Sequence, residues 1–578
     1  MIKKTFCIKA LVIITIAVTV TISCKKNYLD VTEPSAISTD VFPSKVEDLD
    51  LMLIDVYGRL RNSYFNSDLF DKAAIGLDHT TDQGYNGAGF NEWMQNNLLP
   101  TNSQVGNLWS GHYGSISRAN SLLQAMATFR AKGVTAGQES QLKILEGQGL
   151  FLRAVNYYYL VQFFGEVPVT TEADKTKLGV PLWDNVPASI EATNKERATI
   201  GAVWDFVIAD LQKAETLLAN KKSWDDANKG RADLWAVKSL LGKAFAFTLQ
   251  WNKARDKFKE VIDQSGKSLI PYNTYRNMFN GENEFSSESI FEINFTPDRK
   301  DVWNNQLNSA TQYGVFISPS FVEDNGNEGT NGFGNLFIHD KNIRRFGFTP
   351  EAVTTEEQKA APYIAQSVLL RSTKQVDPRM MVSTLQPYVD SVFVYNTWRK
   401  VGKGRGEGFD LTDNKAWNHR KYVVLNRGIW EGNGESIAAN MYFLRLADIY
   451  LLYAESLINS GNTMLGLEYI NKVKRRAYSL PVDAASAIDY ASLTANTMAA
   501  PNDHLFNNPL RYERWAELFA EGSWWLDVRR WKIGDKEAAY YDKVESGKLV
   551  WKDTKYALPI PDSEINNNNK IQRQNEGY

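Results

Sequence analysis

The stretch from Met441 to Ala477, MYFLRLADIYLLYAESLINSGNTMLGLEYINKVKRRA, restricts the fold more than any other part of this chain. Apolar side chains recur at helical spacing through Leu444, Ala447, Leu451, Ala454, Leu457 and Ile458. Asn459-Ser460-Gly461-Asn462 then interrupts, and Leu467, Ile470 and Val473 resume the period. The pattern predicts two helices joined by a tight turn. The first helix is apolar around most of its circumference, so it needs cover on more than one side, which a single hairpin cannot supply.

A second hairpin obeys the same rule. Between Gly230 and Gln264, Gly242, Phe245, Ala254, Phe258 and Val261 fall at the offsets of Ala454, Leu457, Gly466, Ile470 and Val473. Gly242 and Ala254 stand as far apart as Ala454 and Gly466, so a close approach of paired helices is written twice. This is the small-and-large pattern of tetratricopeptide repeats, in two widely separated copies. A weaker first helix fits Leu150, Ala154 and Tyr157, with an insertion before its partner around Trp204 to Leu218. The expected fold is therefore mostly α: a tetratricopeptide-like scaffold of helical hairpins that carries long excursions, one of them a large irregular lobe with short strands.

The start of the chain reads as an address. Lys3, Lys4 and Lys9 precede an apolar run from Ala10 to Ile22, too short for a comfortable membrane span and placed as a secretory signal should be. It ends at Ser23-Cys24, the small residue plus cysteine at which lipoprotein signal peptidase cuts. Residues 1–23 are thus expected to be removed and Cys24 to carry acyl chains, with 24–43 as a polar tether. The only other cysteine, Cys7, lies in the removed segment, leaving no thiol for a disulfide. The 65 basic and 67 acidic residues leave a formal charge of −2, and loss of the three leader lysines makes the balance more acidic. Nothing there attracts nucleic acid. Five histidines without a spaced pair, and no cysteine cluster, argue against a zinc site, and no cofactor is expected.

From Cys24 onward the chain resembles a known family. Cys24 followed by Leu29-Asp30 and Pro34 resembles the opening of the RagB/SusD lipoproteins of the Bacteroidetes outer membrane. Trp109 with Tyr113, Ile116 and Ala119-Asn120 is similar to that family's second conserved helix. Arg153-Ala154, Tyr157 to Leu160 and Phe164-Gly165-Glu166-Val167-Pro168 resemble its third helix and the turn that stops it. Leu444-Arg445-Leu446-Ala447-Asp448 through Tyr453-Ala454-Glu455 resembles its most recognisable hairpin. Glu513-Arg514, Glu517-Leu518, Glu521-Gly522, Trp525, Asp527 and Arg530-Trp531 resemble its acidic-aromatic helix. Leu558-Pro559-Ile560-Pro561, Glu564-Ile565 and Gln574 to Tyr578 resemble its closing segment. The resemblance implies a surface lipoprotein that captures oligosaccharide and passes it to a SusC-like TonB-dependent transporter, without being an enzyme. It also implies that ligands are held by aromatic and polar side chains of an early loop and an irregular lobe.

Read from the residues alone, the late motifs are structural. Glu513, Glu517 and Glu521 repeat every fourth residue beside an apolar stripe of Tyr512, Trp515, Leu518 and Phe519, which predicts one helix over 509–533 whose carboxylates pair with Arg514, Arg529 or Arg530. A single helical stripe leaves no sugar-sized gap between carboxylates, as hydrolysis would require. The Pro-Ile-Pro run must be extended and should pack along the scaffold.

Function is then expected in the excursions. Scaffold is assigned to 44–279 and 431–578, including the hairpin 441–477 and the closing segment 556–578. The excursions are an early loop at 76–106 and the lobe at 280–430. In the early loop, glycines interleave with Tyr85, Phe90 and Trp93, next to Asp82 and Asn91. Ring faces suit the C–H surfaces of sugars, and the polar neighbours suit hydroxyls. In the lobe, Ser289 to Phe295 and Val389 to Tyr395 alternate like short strands, and Gly402 to Gly408 is a glycine-rich loop without the spacing of a phosphate cradle. Trp303, Tyr313, Phe316, Trp398, Trp417 and Trp430 are its exposed-looking rings. The ligand residues chosen on local chemistry are Asp82, Tyr85, Asn91, Trp93, Trp303, Tyr313, Trp398 and Trp417. Two alternatives stay open: a secreted glycoside hydrolase using carboxylates such as Asp377, Asp410 or Asp413, and a peptide or glycopeptide binder.

Overall fold

Side-chain caps start the long helices where the apolar periodicity begins. The computed structural model describes residues 42–65, 79–81, 92, 96–295, 317, 319–322, 328–330, 336–338, 340–349, 355–394, 397–402, 417–423, 439–541 and 551–578. Helix α1 spans Val46–Phe65. Asn102 accepts from the amides of Gln104 and Val105 to open α2 (Ser103–Ala131), and Thr135 forms a reciprocal capping box with Gln138 at α3 (Ala136–Phe164). Helix α3 is buried almost all round from Leu145 to Phe164, so its apolar residues follow no single stripe. The insertion after Gly165 separates it from its packing partner α4 (Ile200–Leu217), as the sequence predicts.

The two predicted hairpins are present. The first pairs α5 (Leu234–Phe247) with α6 (Trp251–Gln264). Further on lie the lobe helix α7 (Ala361–Ser372) and the second hairpin, α8 (Leu446–Asn459) with α9 (Thr463–Ala477). A β-carbon on Gly242 would meet the Phe258 ring at 2.5 Å, and one on Gly466 would meet Ile458 at 2.7 Å. The shared spacing thus marks two real close approaches. Helix α8 packs on α6, α9 and the C-terminal helices, which provides the cover its circumference demands.

Three expectations need correction. Met441–Arg445 is not helical but a strand, β10, fully buried and antiparallel to β2 (Ser289–Ile293). Its run of large apolar side chains, Met441 to Leu444, suits a strand buried on both faces. The segment 509–533 is not one helix. It divides into α10 (Pro509–Glu517) and α11 (Trp524–Arg530) because Ala520 and Gly522 take φ of 60° and 77°. The lobe, expected to be irregular, holds the twelve-residue helix α7.

The remaining described strands form two-stranded ladders in or onto the lobe. Strand β1 (His79–Thr81) pairs with β5 (Leu336–Ile338), β3 (Ser320–Val322) with β4 (Glu328–Thr330), β6 (Thr384–Leu385) with β9 (Asn418–His419), and β7 (Ser391–Val394) with β8 (Thr397–Lys400). The closing segment packs as expected: Leu558 and Ile560 are buried, and the Leu558 amide donates to the Phe163 carbonyl at 2.7 Å. Among the described residues, no helix is long and apolar enough to cross a membrane.

Candidate functional site

The lobe is fastened to the C-terminal scaffold by buried charge. Three lobe cations each meet carboxylates from the last part of the chain. Arg345 bonds Asp503 and Glu537 at 2.7 Å each, Arg379 bonds Glu513 at 2.6 Å, and Lys421 bonds Glu521 at 2.7 Å. Arg445, at the end of β10, joins Glu288, Glu517 and Glu521, while Arg476 also reaches Glu288 and Glu517. Burial pushes the Glu517 carboxyl up, but Arg476, Arg445 and Arg379 together override it and hold the group well below the usual carboxylate range. Glu537, between Arg345 and His504, is likewise held down at about 2 in spite of its burial.

These pairings differ from the expected ones. Arg514 binds Asp448 and Asp527, Arg530 binds Glu455 and Asp527, and Arg529 donates to the carbonyls of Tyr556 and Gly165. The three glutamates instead take cations distant in sequence: Glu513 and Glu517, both on α10, face Arg379, Arg445 and Arg476 brought in by the lobe, β10 and α9, while the turn at Ala520 carries Glu521 away from the helix face to Arg445 and Lys421.

On this base stands the β7–β8 hairpin. Side chains alternate between its faces: Val392 is buried, whereas Phe393 and Trp398 are 52% and 69% exposed. The register sets these two residues directly opposite each other, with ring centroids 5.7 Å apart at 62°. Asp390 secures the hairpin's foot by accepting from Arg371 at 2.7 Å and from the Gln386 amide at 2.6 Å. Burial pushes the Asp390 carboxyl up, but Arg371 and Arg420 keep it below its usual range. Two adjoining rings over half exposed are costly in water unless something covers them in use, which marks them as a contact surface.

The early loop is joined to the lobe. Strand β1, which leads directly into Asp82, is hydrogen-bonded to β5 across His79↔Ile338 and Thr81↔Leu336. The Ile338 amide then donates to the Trp417 carbonyl at 2.9 Å, β9 pairs with β6, and the Tyr388 amide reaches the Val401 carbonyl at the foot of β7–β8. A backbone hydrogen-bonded path therefore runs from the loop's origin to the ring pair. At the loop's other end, Glu92 accepts from the side chain of Asn102, the residue that caps α2.

Of the chosen ligand residues, Trp398 is on the surface as expected. Trp417 is a correction: it is 4% exposed, edge-on to Phe348 at 4.9 Å and beneath the Arg371 guanidinium, so it supports β5 from inside. Asp82, Tyr85, Asn91, Trp93, Trp303 and Tyr313 lie outside the described residues, as do Phe90, Phe316, Trp430, Asp410, Asp413, residues 1–41 and Cys24. Asp377 is 1% exposed and held by Arg379 and the Tyr512 hydroxyl, which leaves it no route to a sugar. Phe393 is not singled out by the sequence, and the β7–β8 register sets it opposite Trp398. Among the described residues, no group of three or more His, Cys, Asp or Glu side chains could hold a metal ion.

Two family models match this chain: the SusD family over residues 287–578, and a family described as starch-binding associating with outer membrane over residues 27–245. A SusD-like protein of Bacteroides ovatus is 23% identical over 91% of this chain and 83% of its own length. SusD-like protein P25 of Formosa agariphila is 24% identical over 74% of this chain and 70% of its own. Among solved structures, the surface glycan-binding protein A of Bacteroides thetaiotaomicron, in complex with laminarihexaose, superimposes with a TM-score of 0.65 at 19% identity. That superposition covers 92% of this chain and 99% of the other.

Proposed function

The chain belongs to the SusD family, and from that premise we propose that it is a glycan-binding lipoprotein of the outer-membrane surface. It captures oligosaccharide on exposed rings and delivers it to a SusC-like TonB-dependent transporter. The observation that carries this reading is the exposed Phe393–Trp398 pair on a hairpin whose foot is held within the lobe by Asp390. Flat rings hold sugar C–H faces by dispersion and area burial, and few ionic contacts are needed. Affinity is then moderate and reversible, which suits a protein that must release its cargo to a channel.

Further support is of the same kind. The family description of starch binding and outer-membrane association, and the laminarihexaose complex of a protein with the same fold, favour a glycan over a peptide. The early loop, with Asp82, Tyr85, Asn91 and Trp93, and the lobe residues Trp303 and Tyr313 extend the surface in this reading. Cys24 carries the lipid anchor. The test is incubation of the purified protein with a panel of soluble glycans that includes laminarin and starch. Retention of a glycan without new reducing ends is the expected result. Release of reducing ends would instead support the hydrolase reading, and retention of no glycan would remove the proposal.

A further inference from the structure

A cavity lies wholly in the helical scaffold. It is partly open to solvent and holds about 370 Å³, within the range of small-ligand pockets, and its walls include Phe247, Trp251, Asn459, Asn508, Arg511 and Trp531. These come from the ends of α5 and α8, the starts of α6 and α10, and the residue after α11, so the ends of both repeat hairpins meet there.

The charges around it do not balance. Lys243, Asp448, Arg514, Asp527, Arg530 and Glu455 form an alternating chain in which every link is 2.7 to 2.9 Å. Three cations there meet three carboxylates. Glu455, the carboxylate at the cavity wall, is already occupied by both Arg530 nitrogens and the Trp531 indole N–H. Arg511 is the surplus cation. Its guanidinium stands 5.2 Å from the Trp531 ring centre, and among the described residues no carboxylate or carbonyl accepts from it. Burial lowers its pKa from the usual guanidinium value, against the pull of Glu455, and an arginine side chain in a protein keeps its charge. A forked donor without an acceptor at a cavity wall suits a carboxylate, which takes two parallel N–H bonds.

The rest of the wall narrows the ligand. Trp251 is half-buried, packs in part against the core, and with the rest of its surface lines the cavity. Asn459 uses its amide N–H on the Glu455 carbonyl, which leaves its oxygen as an acceptor. Asn508 uses its oxygen on the Arg511 amide, which leaves its NH₂ as a donor. We propose that this cavity binds one uronic acid residue, its carboxylate on Arg511, its ring against Trp251 and its hydroxyls on Asn459 and Asn508. A peptide carboxylate would need neither the ring nor a space of sugar size. The site is separate from the Phe393–Trp398 surface and does not depend on it.

The test is calorimetric titration of the full mature chain with D-glucuronate, D-glucose and acetate. Saturable glucuronate binding is expected, with glucose and acetate at least tenfold weaker. Arg511→Gln should weaken glucuronate at least tenfold and Arg511→Lys less. Trp251→Ala should weaken glucuronate while leaving the guanidinium in place, and Trp398→Ala should leave it unchanged. Thermal melts check that each variant is folded, and Trp251→Ala carries the test if Arg511→Gln is not. No saturable binding, equal binding of acetate and glucuronate, or full affinity in both Arg511→Gln and Trp251→Ala would overturn the proposal.

Discussion

Glu284 shows how far one residue's surroundings can reset its chemistry. Burial pushes its carboxyl up to about 7, assisted by Glu292, while the Asn440 amide and Lys229 pull the other way. A carboxyl raised in the folded state contributes stability that is fully present below its unfolded value and is lost as the pH rises through about 7. At pH 8 the fold therefore carries the cost of a disfavoured charge. Glu284→Gln, whose carbonyl still accepts from the Asn440 amide, is expected to raise the melting temperature at pH 8 and to change it little at pH 5. The gain, discounted for the partial exposure of the site, is about 1 kcal/mol. An equal shift at both pH values, or a loss at pH 8, would show that the charge is not the cause. Single residues were also where the sequence misled. Trp417 looked like a ligand ring because nothing near it in sequence hides it, whereas Phe348 and Arg371, which do, are contributed from elsewhere in the lobe.

Among elements, the hairpins were legible because their code is local. Gly242 and Gly466 are small because a partner side chain occupies the place a β-carbon would take, and that need recurs at fixed offsets. Gly242→Ala should therefore push against the Phe258 ring and destabilise the fold by about 1–3 kcal/mol. Chemical denaturation checks it, and an unchanged midpoint would mean that the helices can part at no cost. Strand β10 was illegible for the complementary reason. Its partner β2 lies some 150 residues earlier, so the reading took Met441–Arg445 as the start of a helix. The ion pairs are illegible in the same way: Glu513, Glu517 and Glu521 have arginines close by in sequence, yet their partners Arg379, Arg445, Arg476 and Lys421 come from distant parts of the chain.

At the scale of the molecule, a scaffold of repeat hairpins carries a lobe through buried charges that are paired within the protein. That division of labour leaves the Phe393–Trp398 surface to residues the scaffold does not need. In the proposed reading, attachment to a membrane falls to Cys24. Cys24→Ser is expected to move the protein from the membrane pellet to the soluble fraction and to abolish incorporation of labelled palmitate, without changing glycan retention by the purified chain. Continued labelling would place the lipid elsewhere. The scaffold and closing segment could be read from the sequence because their motifs are spaced along it. The ring surface could be read only in part, since exposure depends on what the whole molecule packs against each ring.

The most direct measurement is native affinity electrophoresis of the wild type, Trp398→Ala and Phe393→Ala/Trp398→Ala in gels containing the glycan that the wild type retains. The account predicts at least a tenfold loss of affinity for the single variant, about 1.4 kcal/mol, and no retardation of the double variant, with melting temperatures unchanged. Undiminished retardation of the folded double variant would contradict it.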